Sequence, residues 1–312
     1  MRLSAVATAA TITTMLLLAS CATQRTISSR VDIQQKLTQM ADQFDGDVGI
    51  YVRNLKTGEE YAVNADSVFP SASIVKVPIL VGVFDMIESG ELNYKSELAY
   101  YADSVNYPGG DNGLIANHKE GATVPLDKII MLMITTSDNS ASMWLQQIVT
   151  GERINRAMQQ QGLTHTRVNS RTPGREDARS QYGWGQLTPR EISNLLVAIR
   201  QGGVISPSAS EEMYRVLTRI HYDGEALAFI PPWVQAASKQ GAVNRSRSEV
   251  VLVNAPSGDY VFCVVTKNQS DTSWDYNNAG YQLIRDVSSL LWQHFEPGHE
   301  WQRPAYDNSK YW

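Results

Sequence analysis

Cysteine and histidine are scarce in this chain, and each shortage excludes chemistry. Its 312 residues include two cysteines, Cys21 and Cys263, and five histidines. The histidines are scattered, with no H-E-x-x-H or other paired spacing, so the sequence offers no zinc site and implies no cofactor. Cys263 sits in the apolar run "DYVFCVVTK" and reads as a buried structural thiol, not a reactive one. Charge is also modest, at 19% of residues and a net of -5, with the signs well mixed. No basic field invites nucleic acid, and no single-sign tract suggests a disordered tail. A hydrophobic fraction of 43% in a chain this long suits one large domain or two lobes sharing a core.

Charge is absent between Arg2 and Arg25, and the interval ends in "TMLLLASC". A positive start, an apolar stretch and small residues before a boundary make residues 1–20 a secretory signal. Leu18-Ala19-Ser20-Cys21 is similar to the lipobox of bacterial lipoproteins. That resemblance implies lipid on Cys21, a polar tether over 21–29, and a membrane-anchored domain facing the periplasm. Ala22 in place of Asp points to the outer membrane if the cell is Gram-negative. The alternative is an uncleaved membrane anchor, which also puts the domain outside the cytoplasm. With Cys21 modified, Cys263 has no partner and no disulfide is expected.

Helix signals begin with Ile33, Leu37, Met40, Ala41 and Phe44 at three- and four-residue steps. "DVGIYVRN" and "EEYAVNA" read as strands around "LKTG", where Gly58 suits a hairpin. "SASIVK" opens a helix to about Ser89, with Pro78 loosening its first turn. Residues 91–205 read as helices and loops without a strand pair. Two loops there are long: "DSVNYPGGDNGLIANH", and residues 164–185, which end in "QYGWG". Their large aromatics, Tyr107 and Trp184, leave two readings open: packing residues, the commoner case, or substrate platforms at a cleft. Thr188 is a plausible N-cap, followed by Pro189 and Glu191. "WVQAASKQG", "SEVVLVNA" and "DYVFCVVTK" form a terminal meander, and a helix through Leu283, Val287, Leu290, Leu291 and Phe295 closes the domain. The expectation is an α/β domain over 30–296. Its α/β lobe covers about 30–90 and 205–296, and an all-α lobe covers about 91–204. Residues 297–312 form a tail with no assigned function.

Three short motifs carry chemistry. Ser73-x-x-Lys76 places a hydroxyl and an amine one helical turn apart, facing the same way. By average usage, on the order of one such spacing arises by chance in a chain this long. Ser137-Asp138-Asn139 follows the apolar "IIMLMI", and chance yields it in only about one such chain in twenty. Lys239-Gln240-Gly241 lies in the first strand of the meander. The order of the three is far more specific than any one of them.

At this point the chain resembles the class A β-lactamases and the related penicillin-binding proteins, across residues 30 to about 295. The resemblance implies a two-lobed β-lactamase/transpeptidase-like fold: an antiparallel sheet flanked by N- and C-terminal helices, plus an all-α lobe. It implies Ser73 as nucleophile, Lys76 as its base, and Ser137 as proton relay to the leaving nitrogen. Asn139 would bond the substrate amide, Lys239 and Gln240 the substrate carboxylate. Gly241 completes the motif, and backbone N–H groups of Ser73 and Ala242 would form the oxyanion hole. Arg247 is the candidate second cation, with Arg245 as its competitor. Two features depart from the family. Gln240 replaces the usual hydroxyl residue, and E-x-x-L-N, whose glutamate activates the deacylating water, is absent. Glu176 and Asp177 are the acids available in that loop, and Glu176 is the candidate. The implied activity is β-lactam hydrolysis through an acyl-enzyme on Ser73, slow if that acid is missing. The alternatives are a D-Ala-D-Ala peptidase or esterase, or a penicillin-binding lipoprotein that does not turn over. The expected partners are a small-molecule substrate and, through Cys21, a membrane, with the chain a monomer.

Overall fold

The computed structural model describes residues 32–107 and 110–301. The signal over 1–20, Cys21, the tether over 21–29 and the tail from 302 lie outside the described residues. The chain divides into two compact units, residues 1–43 and 44–312. In the first, α1 spans 32–42, and Ile33 and Leu37, four residues apart, are its buried apolar positions.

The second unit is built on a five-stranded antiparallel sheet ordered β2-β1-β10-β9-β8. Its strands are β1 (Asp47–Asn54), β2 (Glu60–Val63), β8 (Ala236–Val243), β9 (Ser246–Val253) and β10 (Tyr260–Lys267). The hairpin at Gly58 has the expected left-handed glycine, with φ +73°. Every residue of β9 is buried, because both faces of the sheet are covered. Val250, Leu252, Val261, Cys263 and Val265 share a core cluster with Ile192, Leu195 and Leu196 of α8 (Pro189–Arg200). The alternate residues face α10 (Ala279–Phe295), where Tyr260 packs on Phe295 at 4.8 Å between ring centroids. Cys263 is fully buried and its thiol is pushed up by desolvation, so it is a packing residue.

A helical layer adjoins this sheet. The other helices are α2 (Lys76–Glu88), α3 (Ala102–Val105), α4 (Leu126–Thr135), α5 (Asn139–Val149), α6 (Gly151–Gln160), α7 (Glu176–Tyr182) and α9 (Pro207–Leu217). Residues 76–84 of α2 are all buried, and α2 packs against α4, α5, α6 and α9. Pro78 falls in its first turn, where a missing N–H is tolerated, and a 3-10 turn over Ala72–Val75 precedes it.

The lobe boundaries differ from those expected. Helix α2, assigned to the α/β lobe, is central to the helical layer. Helix α8, assigned to the helical lobe, packs on β1, β9 and β10. Residues 91–205 also contain strands. β4 (Glu97–Ala99) pairs with β5 (Thr123–Pro125), and β3 (Phe69–Pro70), β7 (Gly185–Leu187) and β6 (Arg167–Val168) make a small sheet. Ladders of two or three residues are too short to show a period-2 pattern.

Candidate active site

The small sheet positions Ser73. β3 pairs with β7, and Ser71 N–H donates to Gly185 O at 2.9 Å, fixing the chain just before the 3-10 turn. Ala72 holds φ +44°, a left-handed conformation that a Cβ residue keeps only when its surroundings enforce it. Ser73 stays half-exposed while its neighbours from Ser71 to Val83 are buried. Across the turn runs β8. A Cβ on Gly241 would meet Ser71 O at 2.9 Å, Ala72 Cβ at 3.0 Å and Ser248 Oγ at 2.7 Å. The glycine lets the strand bearing Lys239 press against the turn bearing Ser73.

Lys76 is fully buried at the start of α2. Its Nζ lies 3.1 Å from Ser73 Oγ and 3.0 Å from Ser137 Oγ. It donates to Ser137 O at 2.6 Å and to Asn139 Oδ1 at 2.7 Å. Those two carbonyl oxygens can only accept, so two N–H groups are committed to them. In the neutral amine the lone pair is then left for a hydroxyl. Ser137 occupies the link between α4 and α5 with φ +57°, and Asp138 caps α5 by accepting from Ala141 N–H at 2.8 Å. Asn139 Nδ2 donates to Asp111 O at 2.9 Å, which fixes which way its amide points.

Lys239, also fully buried, donates to Ser137 Oγ at 3.0 Å, to Gln240 O at 2.9 Å and to Gln240 Oε1 at 3.1 Å. Gln240 therefore turns the oxygen end of its amide toward the lysine. Burial pushes the Lys76 amine down to about 7, against the opposing pull of the Asp138 and Asp111 carboxylates. Burial, and then the neighbouring Lys76, holds Lys239 well below the ordinary lysine range.

The structure thus brings together Ser73, Lys76, Ser137, Asn139, Lys239, Gln240 and Gly241, with Ala242 next along β8. It does not bring Glu176 or Arg247. Glu176 is exposed at the start of α7, where its carboxylate accepts from Gly174 N–H at 3.1 Å. It caps its own loop because a carboxylate at a helix N-terminus finds free N–H groups there. Arg247 is fully buried between Trp274 and Tyr281, 4.4 and 4.9 Å from their ring centroids. Its guanidinium donates to the carbonyls of Val243, Ser246 and Ser273, so it fastens the hairpin to the 271–278 loop. Arg245 is bound to the carbonyls of Gln269 and Asn268.

Three residues at the cluster lie outside the motifs. Trp184 places its ring centroid 5.8 Å from Lys76 Nζ, and Tyr107 meets that indole edge-on at 5.0 Å. Asp111 holds Asn139. No spacing rule marks these residues, because they arrive from two loops far apart in sequence.

A serine hydroxyl beside a buried amine, which in turn shares the Ser137 hydroxyl with a second lysine, is the geometry of an acyl-transfer site. The family model described as the β-lactamase enzyme family matches residues 32–295. The chain belongs to that family. It is a serine hydrolase of the class A β-lactamase type. It is 25% identical to β-lactamase CARB-4 of Pseudomonas aeruginosa over 77% of this chain and 83% of the relative. It is also 25% identical to a β-lactamase of Bacillus licheniformis, over 88% and 90%. Among solved structures, PBP-A in a mutant acyl-enzyme complex with penicillin G is similar at 27% identity and TM-score 0.74. The match covers 86% of this chain and 97% of that one.

Proposed function

We propose that Ser73 opens β-lactam rings by forming an acyl-enzyme that is released slowly. The observation that carries this reading is Lys76 Nζ at 3.1 Å from Ser73 Oγ, with its two N–H groups engaged elsewhere. Neutral Lys76 takes the Ser73 proton as Oγ bonds to the ring carbonyl carbon. The backbone N–H groups of Ser73 and Ala242 receive the oxyanion, each worth about 3 kcal/mol of transition-state stabilisation. The C–N bond then breaks, and its nitrogen receives a proton through Ser137, which both lysines contact. Lys239 and the Gln240 amide bind the substrate carboxylate, and Asn139 its amide.

Release needs an activated water. The Glu176 carboxylate is engaged with its own loop, and the Asp138 and Asp111 carboxylates with α5 and Asn139. Acylation outpacing hydrolysis follows. The relative PBP-A, whose mutant holds penicillin G as an acyl-enzyme, supports the same reading. A linear D-Ala-D-Ala-type amide or an ester fits the same nucleophile, and the slow release favours keeping this second reading.

The test is intact-mass spectrometry of the purified chain with excess benzylpenicillin over time. One adduct that forms quickly and persists is expected, lost in Ser73→Ala. Rapid loss with accumulating penicilloate would contradict slow release, and no adduct would sink the acyl-enzyme. We also propose that the chain is exported and lipidated on Cys21. Its support is the lipobox-like sequence, and incorporation of labelled fatty acid that survives in Cys21→Ser would refute it.

A further inference from the structure

Lys76 has an aromatic neighbour beside its polar ones. Ser73, Ser137, Asn139 and Lys239 supply hydroxyls, an amide and an amine around it, and the Trp184 ring stands 5.8 Å from Nζ to centroid. That ring is held in place from two directions. Trp184 O accepts from Asn169 N–H at 2.8 Å and from Ser170 N–H at 2.9 Å, and the next residue, Gly185, accepts from Ser71 N–H. The backbone under the indole is therefore tied to the segment that carries Ser73. From the 106–118 loop, Tyr107 sets its edge against the ring at an interplanar angle of 78°. The face of an indole offers water no ordinary hydrogen-bond partner, its one donor being the Nε1–H at the ring edge, and a deacylating water needs two or more partners.

We propose that Trp184 is a specificity-determining residue whose indole walls water off the Lys76 amine and the Ser73 ester, lengthening the life of the acyl-enzyme. This rests on the acylation of Ser73 proposed above. The ring acts on Lys76 in two opposed ways. Its face attracts an ammonium, and its bulk excludes the water that an ammonium needs. Burial is the first cause of the downward shift of Lys76, and the indole is part of the surroundings that bury it. The other charged groups facing Lys76 are Lys239 from β8, Asp138 at the cap of α5 and Asp111 from the loop. None of them changes when Trp184 is substituted.

The experiment compares the wild-type chain, Trp184→Ala and Trp184→Phe, with benzylpenicillin as the probe. Adduct lifetime is read by intact mass, and the Lys76 titration by 13C-lysine NMR, its signal assigned with Lys76→Met. Trp184→Ala is expected to shorten the adduct lifetime about tenfold and to raise the Lys76 midpoint by about one pH unit as water reaches the amine. Trp184→Phe, which keeps an apolar ring, is expected to retain most of the lifetime and the midpoint. Adducts of equal lifetime in all three proteins, with an unmoved midpoint, would overturn the role of the ring while leaving acylation intact. Absence of any wild-type adduct would sink the acyl-enzyme reading instead. The NMR titration would then decide alone, and an unmoved midpoint in Trp184→Ala would overturn the wall.

Discussion

Lys76 and Lys239 share one hydroxyl: the Nζ of each lies 3.0 Å from Ser137 Oγ. Both side chains are fully buried, so two full positive charges there would lack solvation and repel each other. The pair is therefore a proton store held below its full capacity, and it titrates as a unit.

The first consequence is a pH limb. Only the neutral Lys76 can accept the Ser73 proton, and burial brings that amine down to about 7. The rate of adduct formation should fall about tenfold per unit below that pH and level off above it. Measuring it from pH 5 to 9 decides the matter, and a flat profile would remove Lys76 as base.

Stability should also rise with pH, at values above the limb of the activity profile. The folded Lys76 titrates near 7 and the unfolded lysine near its ordinary 10.5, so the unfolded chain binds more protons between them. Folded stability therefore rises with pH across that window and is lost as pH falls through about 7. Lys76→Met removes the penalty. It should raise Tm at pH 6 by several degrees while abolishing adduct formation.

Glu249 gives the opposite slope. Its buried carboxyl is pushed up to about 8, by burial first and then by Glu225, although Ser238 Oγ and Ala226 N–H donate to it. A raised folded pKa means stability is full below about 4.5 and is lost as pH rises toward 8. Glu249→Gln should match the wild type near pH 4 and melt higher at pH 9. Equal melting temperatures at both would show that the carboxyl is ordinary.

Gly241→Ala should cost both activity and stability. The added methyl would stand 2.9 Å from Ser71 O, a backbone atom that cannot step aside cheaply. We expect a loss of about 1–3 kcal/mol and an acylation rate reduced at least tenfold as β8 moves off the Ser73 turn. A fully active Ala variant would mean that the turn has slack.

Glu176→Gln should change neither adduct formation nor adduct lifetime, since the carboxylate is exposed and serves its own loop. A lifetime prolonged tenfold would restore Glu176 as the deacylating acid.

How far the sequence reaches can be read from particular residues. Thr188-Pro189 opens α8 as expected, with Thr188 Oγ1 accepting from Glu191 N–H at 3.2 Å, because a cap is a local matter. The meander and final helix were legible from local pattern too, the strands as short apolar runs bounded by turn residues and the helix by its 3.6-residue period. The two- and three-residue strands in 91–205 were not, since long-range pairing and not local pattern makes them. Glu176 and Arg247 show the limit at the site. Both have suitable chemistry at suitable positions, and both side chains turn to nearer partners.

The sequence by itself determined which groups this protein can use: a serine and a lysine one helical turn apart, a Ser-Asp-Asn link, and a Lys-x-Gly strand. Helical spacing alone puts Ser73 beside Lys76. The tertiary structure alone decided that Lys239 and Ser137 meet them, that Arg247 lies buried among aromatics, and that Trp184 covers the amine. The contacts of Ser137, Trp184 and Lys239 join segments 61 to 108 residues apart along the chain. They depend on the close passage of β8 over the Ser73 turn, and a packing distance of that kind is written in no local stretch of chain.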